Sequence, residues 1–169
     1  MIVEPLTPVD GAFPGPLLTE LAALYASNRE FQQLSGDFPD PGNIRPEQIA
    51  VSLADELAHP DAKVLLARSA GRLVAIAVTL AHHPDPDDPD PWIGLLMVHA
   101  RDQRAGYGSA LARVVEDRFL AAGRTGVRLA VLETNQKALA FWDALGYVEI
   151  DRRPDTARGR LCVVLRKAL

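Results

Sequence analysis

The chain has 169 residues, of which 48% are hydrophobic, and 18 lysines and arginines stand against 22 aspartates and glutamates. This length and composition indicate one domain, residues 1–169, whose core needs neither a metal nor disulfides, and the net charge of -4 argues against nucleic acid as a partner. The single cysteine, Cys162, excludes an intrachain disulfide, and no apolar run of the sequence is long enough to cross a bilayer. We therefore expect a cytoplasmic protein without a membrane partner.

The first third of the chain predicts one strand and two helices. The opening segment IVEPL indicates a short edge strand, because Pro5 lacks the N–H that a central strand needs. Apolar residues then recur at helical spacing after Pro16 and again after Pro46, and proline suits the first turn of a helix. The stretch 35–42 between them is rich in glycine, proline and aspartate and predicts a loop.

The next segments predict a β-hairpin followed by an exposed loop. VLLARS and LVAIAVTLA flank Gly71, which is typical of two antiparallel strands joined by a short turn. In the second strand bulky side chains alternate with small ones, so its small face has room for a closely packed helix. The segment HHPDPDDPDP predicts an exposed loop, because its prolines lack N–H donors and its carboxylates repel one another.

The second half predicts alternating strands and helices, which indicates a mixed α/β fold. WIGLLMVH is almost continuously apolar and predicts a central strand covered on both faces. An amphipathic helix is predicted from Ser109 to Ala122, and another carries Phe141 after a cap at Thr134 or Asn135. The strand VRLAVLE lies between these helices, and YVEIDR and LCVVLR close the chain as two further strands.

A glycine-containing loop joins the predicted central strand to the helix that follows it. The segment from Gln103 to Ser109 contains Gly106 and Gly108, and such glycines let the backbone turn sharply and approach a ligand. The helix behind the loop offers unpaired N–H groups and a positive dipole end to phosphate oxygens. Leu111 stands where a dinucleotide fingerprint needs a small residue, and the chain has no Gly-Lys pair for a P-loop. The segment is therefore either a pyrophosphate site of another kind or an ordinary strand-to-helix turn.

In these segments the sequence resembles the GNAT superfamily of acetyl-CoA-dependent N-acetyltransferases. Gln103, Gly106 and Gly108 match the family signature Gln/Arg-x-x-Gly-x-Gly/Ala, and NQKALAFW through Gly146 and Tyr147 follows in the family's order. The resemblance covers nearly the whole chain as a single N-acetyltransferase domain. It implies a mixed α/β (α+β) fold with a central, mostly antiparallel sheet of about six to seven strands, splayed at the cofactor site and flanked by about four helices.

The resemblance also implies a binding site for acetyl-CoA and no metal. The backbone of Met97 and Val98 would pair with the pantetheine arm as an added strand does, and the amides of residues 104–109 would hold the pyrophosphate. Asn135 and Phe141 would border the pantetheine and the thioester, although the residues alone are explained as a helix cap and a core side chain. The complete cofactor-binding set implied in this way is Met97, Val98, Gln103, Arg104, Ala105, Gly106, Tyr107, Gly108, Ser109, Asn135, Phe141 and Trp142.

For the mechanism, the resemblance implies that a neutral amine attacks the thioester directly in a ternary complex. The backbone N–H of Val98, at an expected irregularity of its strand, is the candidate donor to the developing oxyanion. Glu133 is the candidate base and His99 a second one, although a helix-start charge and a strand-end hydrogen bonder explain them as well. Trp142 stands where a tyrosine of the family often protonates the thiolate, and an indole N–H is not a useful acid.

The sequence leaves three functions open. In the first, the acceptor is a primary amine on a small molecule. Asp37, Asp40 and Asp155 would attract it, although each is explained more simply as a solvated loop carboxylate. In the second, the acceptor is a protein N-terminus or lysine, which needs a groove open at both ends rather than a closed pocket. The third is a non-catalytic acyl-CoA sensor, suggested by the absent tyrosine. Pairing of two copies as a homodimer is left open.

Overall fold

A seven-stranded sheet organises the fold, and the computed structural model describes residues 1–156 and 158–169. The helices and strands, in chain order, are β1 Ile2–Pro5, α1 Gly15–Ser27, α2 Arg29–Ser35, α3 Pro46–Leu57, β2 Ala62–Ser69, β3 Arg72–Leu80, β4 Trp92–Val98, α4 Tyr107–Ala121, β5 Gly126–Leu132, α5 Gln136–Ala144, β6 Val148–Pro154 and β7 Leu161–Ala168. The strands lie in the order β1-β2-β3-β4-β5-β7-β6, and β4 and β5 are the parallel neighbours in an otherwise antiparallel sheet. The predicted mixed, mostly antiparallel sheet is therefore confirmed, with β1 at one edge.

The described residues form five α-helices rather than about four, together with a 3₁₀ turn at Ala100–Asp102. The helix that the sequence did not predict is α2, whose seven residues REFQQLS are too few to show a helical period. It starts directly after α1 and ends at Gly36, whose φ of 63° is the left-handed conformation that favours glycine. Within residues 1–156 and 158–169, no helix combines the length and the hydrophobicity that a membrane crossing requires.

The sheet carries a separate hydrophobic core on each face. On one face α4 and α5 pack against small side chains, among them Ala75 and Ala77 of β3, so the predicted small face does accommodate helices. On the other face α1 and α3 pack against bulky side chains, among them Ile76 and Val78 of the same strand. Because strand side chains alternate between the two faces, one strand contributes to both cores.

The two parallel strands separate soon after they meet. β4 and β5 pair at Trp92 and Arg128, where Arg128 N–H also donates to Pro91 O at 2.9 Å. β4 is the fourth strand of seven, as predicted, and its side chains pack into the cores on both faces, Ile93 on one face and Met97 on the other. Gly94 is exposed and the next two residues are only half-buried, because the neighbouring strand diverges from them. The sheet is therefore splayed, as the family resemblance implied.

Ion pairs hold the end of the sheet where β4 and β5 meet. Asp90 accepts hydrogen bonds from Arg128 at 2.9 Å and from Arg166 at 2.8 Å. Asp88 accepts from Arg153 at 2.8 Å and also binds Arg128. The prediction of an exposed loop was wrong for these two aspartates, which are 7% exposed. Their arginine partners come from β5, β6 and β7, so nothing in the local sequence signals the pairing.

Removal of the Asp90 carboxylate should destabilise the fold, because Arg128 and Arg166 would lose the partner that they share. We expect Asp90→Ala to lower the free energy of unfolding by roughly 3–5 kcal/mol, the range for breaking a buried ion pair from one side. Urea denaturation at neutral pH measures this change. Asp87→Ala, in the exposed part of the same loop, is the matched control and should change stability by less than about 0.5 kcal/mol. Equal stability of Asp90→Ala and the wild type would contradict the prediction.

The same carboxylate makes this contribution depend on pH. Burial alone would raise the pKa of Asp90, but hydrogen bonds from Arg166 and Arg128 outweigh burial and hold the pKa below its ordinary value. For a lowered pKa, the stabilisation is present above the ordinary aspartate pKa of about 4 and is lost as the pH falls through the folded-state pKa. The stability difference between the wild type and Asp90→Ala should therefore shrink in acid.

Candidate active site

A cleft of about 1150 Å³ opens between the diverging parts of β4 and β5. On one face of the sheet the cleft is lined by the start of α4 and by α5. On the other face it is lined by the end of α1 and by α2. Ala105 and Tyr107 are not among the described residues that line the cleft, and the Tyr107 hydroxyl instead donates to Ser69 Oγ at 3.1 Å. The other predicted cofactor-binding residues all line the cleft; they are Met97, Val98, Gln103, Arg104, Gly106, Gly108, Ser109, Asn135, Phe141 and Trp142.

The start of α4 offers backbone N–H groups that have no acceptor within the helix. Gly106 precedes the helix with a φ of 85°, a left-handed conformation that glycine adopts without strain. The first helical bond runs from Ala110 N–H to Gly106 O at 3.0 Å, so the three preceding N–H groups are left for another partner. The first turn, residues 107–110, carries no acidic side chain that would neutralise its positive end. This arrangement fits an anionic group such as a pyrophosphate.

Gly108 allows α4 to lie close to both α5 and β4. A Cβ atom at this position would lie 3.2 Å from the Phe141 ring and 3.4 Å from Val98 Cγ2. The first of these separations is tighter than ordinary van der Waals contact, so a side chain at Gly108 would push the ring or the helix start away. The glycine thus sets the position of the helix N-terminus relative to the cleft.

The carbonyl of Val98 is held by two side-chain amides. Gln103 Nε2 donates to Val98 O at 3.2 Å and to Asn28 Oδ1 at 2.8 Å, and Asn28 Nδ2 donates to Val98 O at 3.1 Å. Ser27 Oγ also accepts from Ala100 N–H at 3.0 Å. Gln103, predicted to bind the cofactor, is therefore also a brace between α1 and β4. Asn28 was not predicted as a site residue, because its only signal in the sequence is a polar residue at the end of an apolar helix.

The backbone N–H groups of β4 point alternately toward β3 and toward the cleft. His99 N–H donates to Val74 O of β3 at 2.9 Å, and successive residues of a strand point their backbone groups to opposite sides. The N–H groups of Val98 and Leu96 therefore point toward β5, from which β4 has separated. Met97 borders the cleft, but its own backbone groups face β3. Alternation thus favours Leu96 beside Val98 as the backbone partners of a bound extended chain.

The strand irregularity expected at Val98 lies instead at Gly94. The register with β3 pairs Leu95 with Val78 but Ile93 with Thr79, so Gly94 is an additional residue on β4. From Leu95 onward the register is regular. A bulge bends its strand, and glycine accepts it readily because it has no side chain to accommodate. The bulge lies between the paired end of β4 and the part that lines the cleft.

α5 supplies a cap and an aromatic wall. Asn135 Oδ1 accepts from Ala138 N–H at 3.1 Å, which confirms the predicted helix cap. The Phe141 and Trp142 rings meet edge to face with centroids 4.9 Å apart, and Trp142 is 6% exposed. Tyr147 packs behind Trp142 and donates to Glu116 at 3.0 Å. No tyrosine is among the described residues that line the cleft.

The two candidate bases lie outside the lining of the cleft, as far as the structure describes it. Glu133 Oε1 accepts from Arg152 Nη1 at 2.7 Å, and both side chains are about half-exposed. His99 Nδ1 accepts from Arg101 N–H at 3.4 Å, and burial holds the pKa of His99 below its ordinary value. The cleft geometry therefore does not favour either residue as the base.

Other ionisable groups do line the cleft. Asp37 and Asp155 lie at its α2 side, whereas Asp40 accepts from Gly42 N–H at 2.9 Å within its own loop and is not among the described lining residues. Cys162 lies in the lining on β7, is buried, and has its thiol pKa raised by that burial. Among residues 1–156 and 158–169, no group of three His, Cys, Asp or Glu side chains is placed to hold a metal ion.

Comparison with known proteins identifies relatives of this chain. The family model described as "Acetyltransferase (GNAT) family" matches residues 24–147. No curated protein is similar enough in sequence to count as a match.

Solved structures share the fold at low sequence identity. PaiA N-acetyltransferase from Thermoplasma acidophilum, in complex with coenzyme A, is 15% identical, with a TM-score of 0.69 and 100% of each chain covered. Aminoglycoside 6′-acetyltransferase type Ii is 14% identical, with a TM-score of 0.68 over 99% of this chain and 97% of its own. The ribosomal-protein-S18-alanine N-acetyltransferase from Escherichia coli is 15% identical, with a TM-score of 0.60 over 99% and 94%.

A β-branched residue at Gly108 should weaken binding of coenzyme A, because its Cβ would displace the helix start that faces the anion. We expect Gly108→Val to raise the Kd for coenzyme A by at least about tenfold, equivalent to about 1.4 kcal/mol, as measured by titration calorimetry. Gly15→Val, at the start of α1 and with open space around the glycine, is the matched control and should bind normally. An unchanged Kd in a folded Gly108→Val variant would remove the proposed phosphate site.

Proposed function

The chain belongs to the acetyltransferase (GNAT) family, and on that premise we propose that it transfers the acetyl group of acetyl-CoA to a primary amine of a small molecule. The observation that carries this proposal is the cleft between β4 and β5. It connects a helix N-terminus on one face of the sheet with a pocket beside α2 on the other. One structure of the same fold contains coenzyme A, and another is by its name an acetyltransferase of aminoglycosides.

Each wall of the cleft has a part in holding acetyl-CoA, which supplies the acetyl group as an activated thioester. The N–H groups at the start of α4 would bind the pyrophosphate. The backbone groups of Leu96, which β5 leaves unpaired, would bind the pantetheine arm as an added strand binds a sheet edge, and the Val98 N–H would be left for the acetyl group at its end. Phe141 and Trp142 would form an apolar wall beside the arm.

The proposed reaction is direct attack in a ternary complex. The amine nitrogen forms a bond to the acetyl carbon, the carbon–sulfur bond breaks, and its electron pair leaves with the sulfur. Negative charge develops on the acetyl oxygen, and Val98 N–H would donate to it, because this group faces the cleft and β5 does not use it. The amine attacks in its neutral form and gives up one proton in the reaction.

The proton that the amine gives up must pass to a base, to water or to the departing sulfur. Glu133 as the base stays a prediction, and its ion pair with Arg152 supports a structural role instead. Asp37 lines the cleft on the side proposed for the acceptor, where its negative charge would attract the protonated amine before it binds. Asp155 lies on the same side, but its carboxylate already binds Arg160.

A second candidate function is acetylation of a protein. The similar structure from Escherichia coli is, by its name, an enzyme that acetylates an alanine of ribosomal protein S18. A non-catalytic acyl-CoA sensor, the third function that the sequence left open, draws support from the lack of a tyrosine among the described residues of the cleft lining. These alternatives differ in whether CoA is released at all and in which acceptor is acetylated when it is released.

The wild-type protein should release CoA steadily when it is mixed with acetyl-CoA and a suitable small primary amine. The measurement is thiol release followed over many turnovers, with a panel of small amines, free amino acids and short peptides as acceptors. Small amines should give the highest kcat/KM, because the proposed acceptor site is a pocket rather than an open groove. Turnover on peptides alone would support the protein acetyltransferase. Binding of acetyl-CoA without release of CoA for any acceptor would support the sensor.

Replacement of Trp142 should test whether its indole N–H has a chemical role. We expect Trp142→Phe to fold and to keep most of the turnover at saturating acetyl-CoA, because the side chain serves as an apolar wall. Trp142→Ala should lose roughly 3–5 kcal/mol of stability through lost packing. Trp142→Tyr would place a phenol in this wall, and higher turnover is expected if the hydroxyl reaches the leaving sulfur.

The matched control for these variants is Trp92→Phe. Trp92 is the other tryptophan of the chain, and it lies at the start of β4, the end of that strand opposite to Val98. Circular dichroism and CoA titration confirm that each variant folds and binds. A Trp142→Phe variant that binds CoA normally yet loses turnover by orders of magnitude would show that the indole N–H is required.

A further inference from the structure

Helix α2 lies along the cleft on the side opposite the predicted phosphate site. Phe31 and Leu34 line the cleft from this helix, and Phe31 also packs against the core that α1 and α3 share. Gln32 is fully buried and donates to Tyr25 O of α1 at 3.3 Å. α2 therefore belongs to the half of the sheet that ends at β4.

Two cations from the other half of the sheet reach α2. Arg160, which directly precedes β7, donates from Nη1 to Leu34 O at 3.3 Å and also to Ser35 O. Lys137 of α5 forms an ion pair with Glu30 of α2. Each contact connects α2 with the β5–β7 half of the sheet, so each passes from one side of the cleft to the other.

Of the two cations, Arg160 is less exposed to solvent and makes more hydrogen bonds. Its side chain is 32% exposed, and Asp155 holds the guanidinium through Nε at 2.7 Å. The carbonyls that it binds belong to the last turn of α2, where helical carbonyls lack intrahelical donors. Lys137 and Glu30 are 78% and 66% exposed, and ion pairs that exposed contribute little.

A second arginine lies over the same end of α2. The space that a Cβ atom on Gly36 would need is taken by the guanidinium of Arg158. Gly36 also has a φ of 63°, so both its conformation and its surroundings favour glycine. The residues before β7 are therefore in close contact with the end of α2.

We propose that Arg160 fastens α2 across the acceptor end of the cleft and thereby restricts acceptors to small amines. This proposal rests on the proposed acetyl transfer. A peptide acceptor would need a groove open at both ends, and the bonds from Arg160 to Leu34 and Ser35 join the two walls of that groove. A small amine would need no such passage. Arg160 is thus a specificity-determining residue, whose guanidinium acts on access rather than on the reacting atoms.

The test compares Arg160→Ala and Arg160→Lys with the wild type. Lysine keeps the charge but lacks the forked donors that bind a carboxylate and two carbonyls together. Arg68→Ala is the matched control, because Arg68 is 30% exposed and likewise binds a carboxylate, that of Glu20, and a backbone carbonyl, that of Gly71. Arg68 lies on β2, away from the cleft.

The first measurement does not depend on activity and uses Cys162, the only cysteine of the chain. This thiol lines the cleft, is 7% exposed and lies 3.6 Å from Arg160 O. Alkylation by a bulky biotin-maleimide should be at least about tenfold faster in Arg160→Ala and Arg160→Lys than in the wild type, and within about twofold of the wild type in Arg68→Ala. Burial raises the pKa of Cys162, and the charge of Arg160 opposes that rise. Because removal of Arg160 would therefore change the ionised fraction of the thiol, rates are compared for the fully ionised thiol from a pH series.

The second measurement is the ratio of kcat/KM for an eight-residue peptide with a free N-terminus to kcat/KM for 1,4-diaminobutane. This ratio should rise at least about tenfold in Arg160→Ala and Arg160→Lys and stay constant in Arg68→Ala. An unchanged alkylation rate would overturn the proposal, and so would faster alkylation with an unchanged ratio. A wild type that binds acetyl-CoA but acetylates neither acceptor nor any amine of the panel would count against the proposed function, while the alkylation rates would still decide whether Arg160 closes the cleft.

Discussion

The divergence of β4 from β5 is the constraint on which the rest of this structure depends. The two strands pair at Trp92 and Arg128, where Asp88 and Asp90 bind arginines from three strands. Buried carboxylates are costly unless they are paired, so this cluster is stable only in the arrangement that brings the three strands together. The ion pairs hold the strands at one end, and the bulge at Gly94 marks where β4 leaves its partner.

Divergence leaves polar backbone groups of β4 without a strand to bind. An unpaired N–H in the middle of a sheet is unfavourable unless water or a ligand replaces the missing strand. At the same place the N–H groups of α4 lack helical acceptors, and Gly108 brings that helix start close to β4. The cleft therefore combines a donor-rich strand edge with a donor-rich helix end, which together suit a long ligand that has an extended arm and an anionic head.

The two halves of the sheet are connected again on the far side of the cleft. There α2, which packs with α1 and α3, receives the guanidinium of Arg160 from the other half. The braces from Gln103 and Asn28 to Val98 fix α1, and with it the start of α2, to the end of β4. One wall of the cleft is therefore positioned by side-chain contacts that link residues far apart in the chain.

The sequence by itself determined the succession of the strands and most helices along the chain, the glycine-containing loop before α4, a helix cap at Thr134 or Asn135, and the family. These features depend on local periodicity and on motifs of a few residues, which a sequence contains directly. Only the tertiary structure decided that Asp88 and Asp90 are buried, that Glu133 pairs with Arg152 and is not among the described residues of the cleft lining, and that Arg160 binds α2. Each of these depends on partners about 20 to 130 positions apart in the chain, and no local pattern specifies which charged side chains folding will bring together.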